Sequence, residues 1–295
     1  MTSRHVAILV SLFLAFIMSP LAQAQIIYGT PPSISGRIIY QHWKLTGGNG
    51  GKDTILTQVV APISVYVPVA PHWEVHFNGA LSRSKLDYGN AATNVSSIGL
   101  TTLRVFHSFS EDRLFAAAGV ILPTGKTGYD PAETAVTQLI ADDFLALPLK
   151  QLGGGFGLIM QVGGASQYEW LLYGGSIGYT YAGSYTYLKD GDNYNPGDEI
   201  VVQGSASAVG RTSSLDLDLS YKLYTADKIG SEQIFKVGGI ASAVLTGKYN
   251  FHNGMLSATL AEILRSKNSL QFGGALRTED RQSNANKTIL GGSIT

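Results

Sequence analysis

The stretch Ser214-Leu215-Asp216-Leu217-Asp218-Leu219-Ser220-Tyr221-Lys222-Leu223 puts an apolar residue at every second position. Leu215, Leu217, Leu219, Tyr221 and Leu223 share one side, while Asp216, Asp218, Ser220 and Lys222 share the other. Side chains alternate across a strand with a period of two, so this segment reads as a β-strand with one apolar and one wet face. The same alternation recurs elsewhere. Val75 and Phe77 oppose Glu74, His76 and Asn78, and Ile200, Val202, Ala206 and Ala208 share a side with Gly204. Tyr179, Tyr181, Tyr185 and Tyr187 form an aromatic stripe on one side with Gly183.

Working outward gives fourteen candidate strands: 34–45, 54–67, 73–83, 95–109, 113–123, 134–147, 155–168, 170–188, 199–209, 213–224, 232–247, 255–264, 268–278 and 287–295. Most span 10–15 residues, against the five or six usual in soluble sheets. No convincing amphipathic helix is expected, and Leu256–Leu264, where helical spacing competes, is read as strand. Phe156–Val162 and Val237–Leu245 are apolar or small on both faces, as in a lined lumen or a sandwich core.

The first 24 residues read as a secretory signal peptide: Arg4, the apolar run Val6–Met18, and Ala22-Gln23-Ala24 before the cut. That run is too short for a spanning helix. Residues 25–295 read as one domain, with no composition break or long linker. Cysteine is absent, so no disulfide or thiolate site is available. Charged residues make up 14% of the chain, below the roughly one quarter of soluble domains, and 21 basic residues balance 21 acidic ones. Nucleic acid is therefore not an expected partner. Thirty-five glycines and 15 tyrosines suit strands that curve and end at a membrane interface.

An export signal followed by many amphipathic strands predicts an all-β fold: a transmembrane antiparallel up-and-down β-barrel of about 12–14 strands. Such a barrel belongs in the outer membrane of a Gram-negative cell, with outer-membrane lipid outside and a small-molecule solute within, placed there by the barrel-assembly machinery. The wet faces nominate Glu74, His76, Asn78, Asp216, Asp218 and Lys222 as lumen-lining residues. A closing strand near Lys287 should pair with the first strand, and Lys126–Ala132 should lie outside the cell.

Leu122-Pro123-Thr124-Gly125 ends one strand with a breaker pair. It is followed by Ile177-Gly178-Tyr179-Thr180-Tyr181-Ala182-Gly183-Ser184-Tyr185 and by Tyr194-Asn195-Pro196-Gly197-Asp198-Glu199. Over residues 120–200 these motifs resemble the family of outer-membrane β-barrel transporters assigned to the phenol-degradation meta pathway. The resemblance implies a porin-like barrel admitting small, often aromatic or hydrophobic, compounds, and it carries over no catalytic or binding residue.

Catalysis finds little footing. His107 and Ser108 are adjacent and so face opposite sides of a strand, as do Asp142 and Asp143. His42, His76 and His107 could converge from neighbouring strands, but no spacing requires it. Asp190-Gly191-Asp192-Asn193-Tyr194 fails the calcium-loop pattern at Tyr194 and reads as a solvated turn. No metal or cofactor is expected, and no enzyme. The alternatives, in order, are a filled-lumen barrel with a structural or surface role, a secreted β-sandwich, and a barrel hydrolase.

Overall fold

The computed structural model describes residues 31–46, 53–88, 91–109, 113–141, 145, 147–280 and 285–294. The expected signal peptide and the Asp142-Asp143 pair lie outside them.

Strands β1 (Ser33–Gly36) and β2 (Ile39–Leu45) form the first wall strand, and β3 (Thr54–Ala70) and β4 (Trp73–Asp87) the next two. The fourth joins β5 (Ala92–Ile98) to β6 (Thr101–Phe109), and β7 (Leu114–Leu122) is the fifth. Helix α1 (Pro131–Ile140) intervenes before β8 (Gly157–Tyr168) and β9 (Leu171–Tyr181). After the short strands β10 (Tyr185–Thr186) and β11 (Asn193–Asn195), the wall resumes with β12 (Glu199–Val209) and β13 (Ser213–Tyr224). The hairpin β14 (Asp227–Ile229) and β15 (Glu232–Lys236) precedes β16 (Ile240–Phe251) and β17 (Gly254–Arg265). A last hairpin, β18 (Ser269–Phe272) and β19 (Ala275–Thr278), leads to β20 (Lys287–Ile294). The large sheet has 14 segments, and two wall strands are each built from two, which makes twelve wall strands among the described residues. Every pairing in it is antiparallel between sequence neighbours, the meander expected from the alternation.

Register turns the alternation into two surfaces. One row of cross-strand partners runs Ala206, Leu217, Leu245, Leu260 and Leu290. The neighbouring row runs Ser207, Asp216, Thr246, Thr259 and Gly291. On β13 the leucines are exposed and their neighbours half-buried throughout. The outer face is therefore apolar and the inner face polar, the division that a bilayer around a wet lumen selects.

The two ends of the barrel differ. At one, β3–β4, β8–β9, β12–β13 and β16–β17 join through short turns, with exposed Trp73, Phe109, Tyr168, Trp170, Tyr249 and Phe251 nearby. At the other, β10, β11, β14, β15, β18 and β19 rise as a separate six-stranded sheet. Aromatics grouped at the rim match an interface girdle.

Several expected strands differ. The described residues of 134–147 hold no strand: Pro131 occupies the first turn and the Glu133 carboxylate accepts from the Asp130 amide at 3.2 Å, so local capping starts a helix there. The stretches 170–188 and 232–247 each break in two, at Ala182–Ser184 and at Val237–Gly239. Backbones pass too close at these breaks for a ladder: a Cβ on Gly183 would lie 1.7 Å from the Phe156 oxygen, and one on Gly238 2.1 Å from that of Ser266. The 268–278 strand is a hairpin turned by Gly273 and Gly274, both at positive φ. Leu256–Leu264 is strand, as read.

The expected closure is not formed. β20 pairs only with β17, and β1 and β2 only with β3, among the described residues. Ile34, Ile38, Leu290 and Ile294 along these edges are 72–80% exposed, well above the outward leucines of β13. The first wall strand is interrupted at Arg37-Ile38 and β20 has eight residues, so both edges are too short and broken for a long ladder.

Candidate functional site: the lumen and the segment that enters it

The apolar core lies inside the barrel, at the long-loop end. Leu56, Leu86 and Val95 from the inner faces of β3, β4 and β5 are completely buried against Tyr129, Val136, Ile140, Leu145, Leu147 and Leu152. The chain between β7 and β8 thus folds inward and covers one side of the lumen. Val136 and Ile140, four apart, present one face of α1 to that core.

Polar groups of the wall hold this segment by its backbone. Gln58 Nε2 donates to the Leu149 carbonyl at 2.9 Å, and the Leu149 amide donates to Gln58 Oε1 at 3.2 Å. The Lys126 amide donates to Ser97 Oγ at 2.7 Å and to the Leu152 carbonyl at 3.1 Å. Thr124 Oγ1 lies 2.8 Å from Thr101 Oγ1 and 3.1 Å from the Gly99 carbonyl. The Leu122-Pro123-Thr124-Gly125 motif is therefore the near half of a clasp. Its far half is Gly153, where an added Cβ would lie 1.9 Å from the Lys126 oxygen; one on Gly125 would lie 2.2 Å from Gly153 Cα.

At the barrel mouth, four tyrosines tie the upper sheet to the inserted segment. Tyr129 and Tyr187 lie 5.5 Å apart, Tyr185 and Tyr194 5.6 Å, and Tyr187 and Tyr194 5.8 Å. Thr137 Oγ1 and the Tyr187 hydroxyl are 2.7 Å apart, and the Tyr194 hydroxyl donates to Asp227 Oδ2 at 2.5 Å. Burial pushes the Tyr185 phenol up to about 12 and raises Tyr129 and Tyr194 as well. Burial also raises the Asp227 carboxyl, against the lowering from Tyr194 and the Gly197 amide. The expected tyrosine stripe thus divides: Tyr179 and Tyr181 stay on the wall, while Tyr185 and Tyr187 turn onto the insert.

The six nominated lumen residues form two groups, on β4 and on β13, six wall strands apart. Register places Glu74 opposite Phe106, His76 opposite Arg104, and Asn78 opposite Thr102. Glu74 accepts from the Tyr66 hydroxyl at 2.9 Å, with His76 Nε2 3.3 Å from its other oxygen. The His76 ring packs 4.5 Å from Phe106 and edge-on to Tyr66 at 5.1 Å. On the far side Asp216 pairs with Lys248 at 3.2 Å and receives a hydrogen bond from Ser207, and Lys222 pairs with Glu199 at 3.1 Å. Asp218 faces Ser205 and Val244 across the strands.

The sequence reading passed over Arg104, Glu199, Lys248 and the chain Gln161–Ser176–Gln203, whose links are 3.1 and 3.2 Å. Arg104 was legible by the rule that found Asp216, since Leu103 and Val105 flank it. Its stem crosses Gly119 of β7, where an added Cβ would meet Arg104 Cγ at 2.8 Å. The histidines do not gather: His76 lies on the inner face of β4 against Phe106, His42 binds Thr57 Oγ1 at 3.3 Å, and His107 stacks on Trp73 at 4.2 Å. Ser108 Oγ is 3.4 Å from His72 Nδ1, looser than the roughly 2.6–3.2 Å of an activated nucleophile.

No family model matches this chain, and no curated protein is similar to it. Among solved structures, an outer membrane channel from Pseudomonas putida F1 superposes with a TM-score of 0.51 at 13% identity, over 92% of this chain and 100% of that one. A Pseudomonas aeruginosa FadL homologue gives a TM-score of 0.48 at 11% identity, over 90% of this chain and 73% of that one. The first shows the fold: this chain is built as outer-membrane β-barrels are.

Proposed function

We propose that the protein is an outer-membrane channel for small solutes, with the passage confined to one side of the lumen. One observation carries this reading: the inner wall is unevenly covered. Leu56, Gln58, Leu86 and Val95 on β3–β5 are sealed by the inserted segment. The inner faces of β12, β13 and β16, with Gln203, Ser205, Asp216, Asp218 and Ser220, stay only half-buried. A polar wall left partly uncovered inside an apolar shell suits water and a passing solute.

Small solutes with an aromatic ring fit best. Tyr66, His76, Phe106 and Phe115 offer ring faces and edges along the inner surface, with Arg104 beside them. The motif resemblance supports the same class.

The sealed core favours a second reading, a barrel filled for structural purposes. Single-channel recording on refolded protein separates the two. The channel reading expects steady conductance from the intact chain and a larger one after removal of residues 131–141. Silence from both, in vesicles where folding is verified, would leave the filled barrel standing.

A further inference from the structure

The outward positions of β17 run Leu256, Ala258, Leu260, Glu262 and Leu264, and all three leucines are exposed. Glu262 pairs in register with Ala243 of β16, which pairs with the exposed Leu219 of β13, and with Thr288 of β20. This acid therefore stands on the lipid side of the wall. The strand end at Arg265 is three positions on, roughly 10 Å along the strand. Thr288 Oγ1 donates to Glu262 Oε2 at 2.6 Å, and Oε1 has no hydrogen bond among the described residues. An ionisable group facing lipid is costly, the more so the deeper it sits, and within a membrane it is by default a candidate functional group.

A second feature coincides with it. Gly204, Ala241 and Ala243 dent the wall between the larger Val202, Leu219, Tyr221 and Leu264, leaving a groove of about 450 Å³ with Glu262 on its lining. Small-molecule sites span roughly 300–1,000 Å³, so the groove has the size for one small or single-chain apolar molecule. Apart from the carboxyl, the groove presents almost entirely carbon. An occupant must match both parts, with an apolar body for the dent and a hydrogen-bond donor for the acid.

We propose that this groove binds a single-chain amphiphile, drawn from the surrounding leaflet, whose head donates to Glu262. The tail lies over Gly204, Ala241 and Ala243, and an ammonium or hydroxyl head meets Oε1. This goes beyond the channel reading and requires only that the outer wall face lipid.

The chain has no cysteine, so Leu260→Cys, beside the groove, accepts a single fluorophore in protein refolded into vesicles. The probes are dodecylammonium, dodecanol and dodecyl methyl ether, each with a nitroxide on its tail. Both donor-headed probes should quench at about tenfold lower membrane fraction than the ether, the scale of one hydrogen bond. Glu262→Leu should erase that preference, and Ala243→Leu, which fills the dent and spares the acid, should weaken all three probes. Equal quenching by the three probes, or a preference that survives Glu262→Leu, would overturn the proposal. Urea titration in the same vesicles verifies folding, and Glu262→Leu should fold at least as well because it removes an acid from lipid. Its channel conductance should be unchanged, so failure of either reading is seen separately.

Discussion

A residue's place on this wall is set by parity, and the consequences of a substitution follow from it. Leu217 and Ser220 lie three apart on β13, on opposite faces. Leu217→Arg puts a guanidinium into hydrocarbon, at a cost of about 2–4 kcal/mol near midplane. Ser220→Arg loses the 2.7 Å contact with Ser242 but places its charge in the lumen beside other polar groups. Equilibrium folding into lipid vesicles should show a large loss for the first and a small one for the second; equal losses would refute the face assignment. Parity was readable from the letters for β13 because leucine and aspartate alternate without a break. It was harder to read for β7, where Ala116, Ala117 and Ala118 are small on both faces. Glu262 was passed over although its parity with Leu256, Leu260 and Leu264 already put it on their side, and register agrees by pairing it with Ala243, the partner of Leu219.

At the scale of elements, the sequence reading succeeded where strands are long and regular, and missed where local chemistry interrupts them. Asp130-Pro131 with Glu133 is a helix start, but it sits inside a run whose apolar residues also suit a strand, and the barrel rhythm on both sides favoured strand. The fold of the insert into the lumen could not be read at all, because Gln58, Ser97 and Thr124 grip backbone far away in sequence. The clasp predicts a phenotype. Gly153→Val must push the chain away from the Lys126 oxygen, loosening the insert with the wall strands intact. Conductance should rise and become noisy while thermal stability of the wall changes little; an unchanged trace would show that the insert does not bound the passage. The tyrosines above it predict a pH response. Tyr185 titrates near 10 when unfolded and at about 12 when folded, because burial disfavours the phenolate. A raised folded value means that this contribution is complete below about pH 10 and is lost as pH climbs towards about 12. Absorbance of tyrosinate should therefore lag behind that of free tyrosine until the upper sheet opens, and Tyr185→Phe should reduce the lag.

The whole molecule has two unlike ends, and their difference predicts its orientation. Short turns gather at one end and the six-stranded upper sheet at the other, and in barrels of this kind short turns face the periplasm and long loops the outside. The upper sheet and the tyrosine cluster would then stand at the outer mouth, with α1 held inside it against Leu56, Leu86 and Val95. Lys126–Ala132, expected outside from the sequence, lies at the upper-sheet end, but Tyr129 is only 3% exposed, so an epitope there would stay hidden from antibody on either side. The β18–β19 hairpin is the better reporter. Gly273 and Gly274 hold its tip at φ of 62° and 81°, both exposed and without contacts that an insertion would disturb. An epitope between them should be stained on intact cells, while one between His252 and Asn253, in the turn joining β16 to β17, should be stained only after permeabilisation. The reverse pattern would invert the barrel and place the insert and its clasp on the periplasmic face, where they would control exit rather than entry.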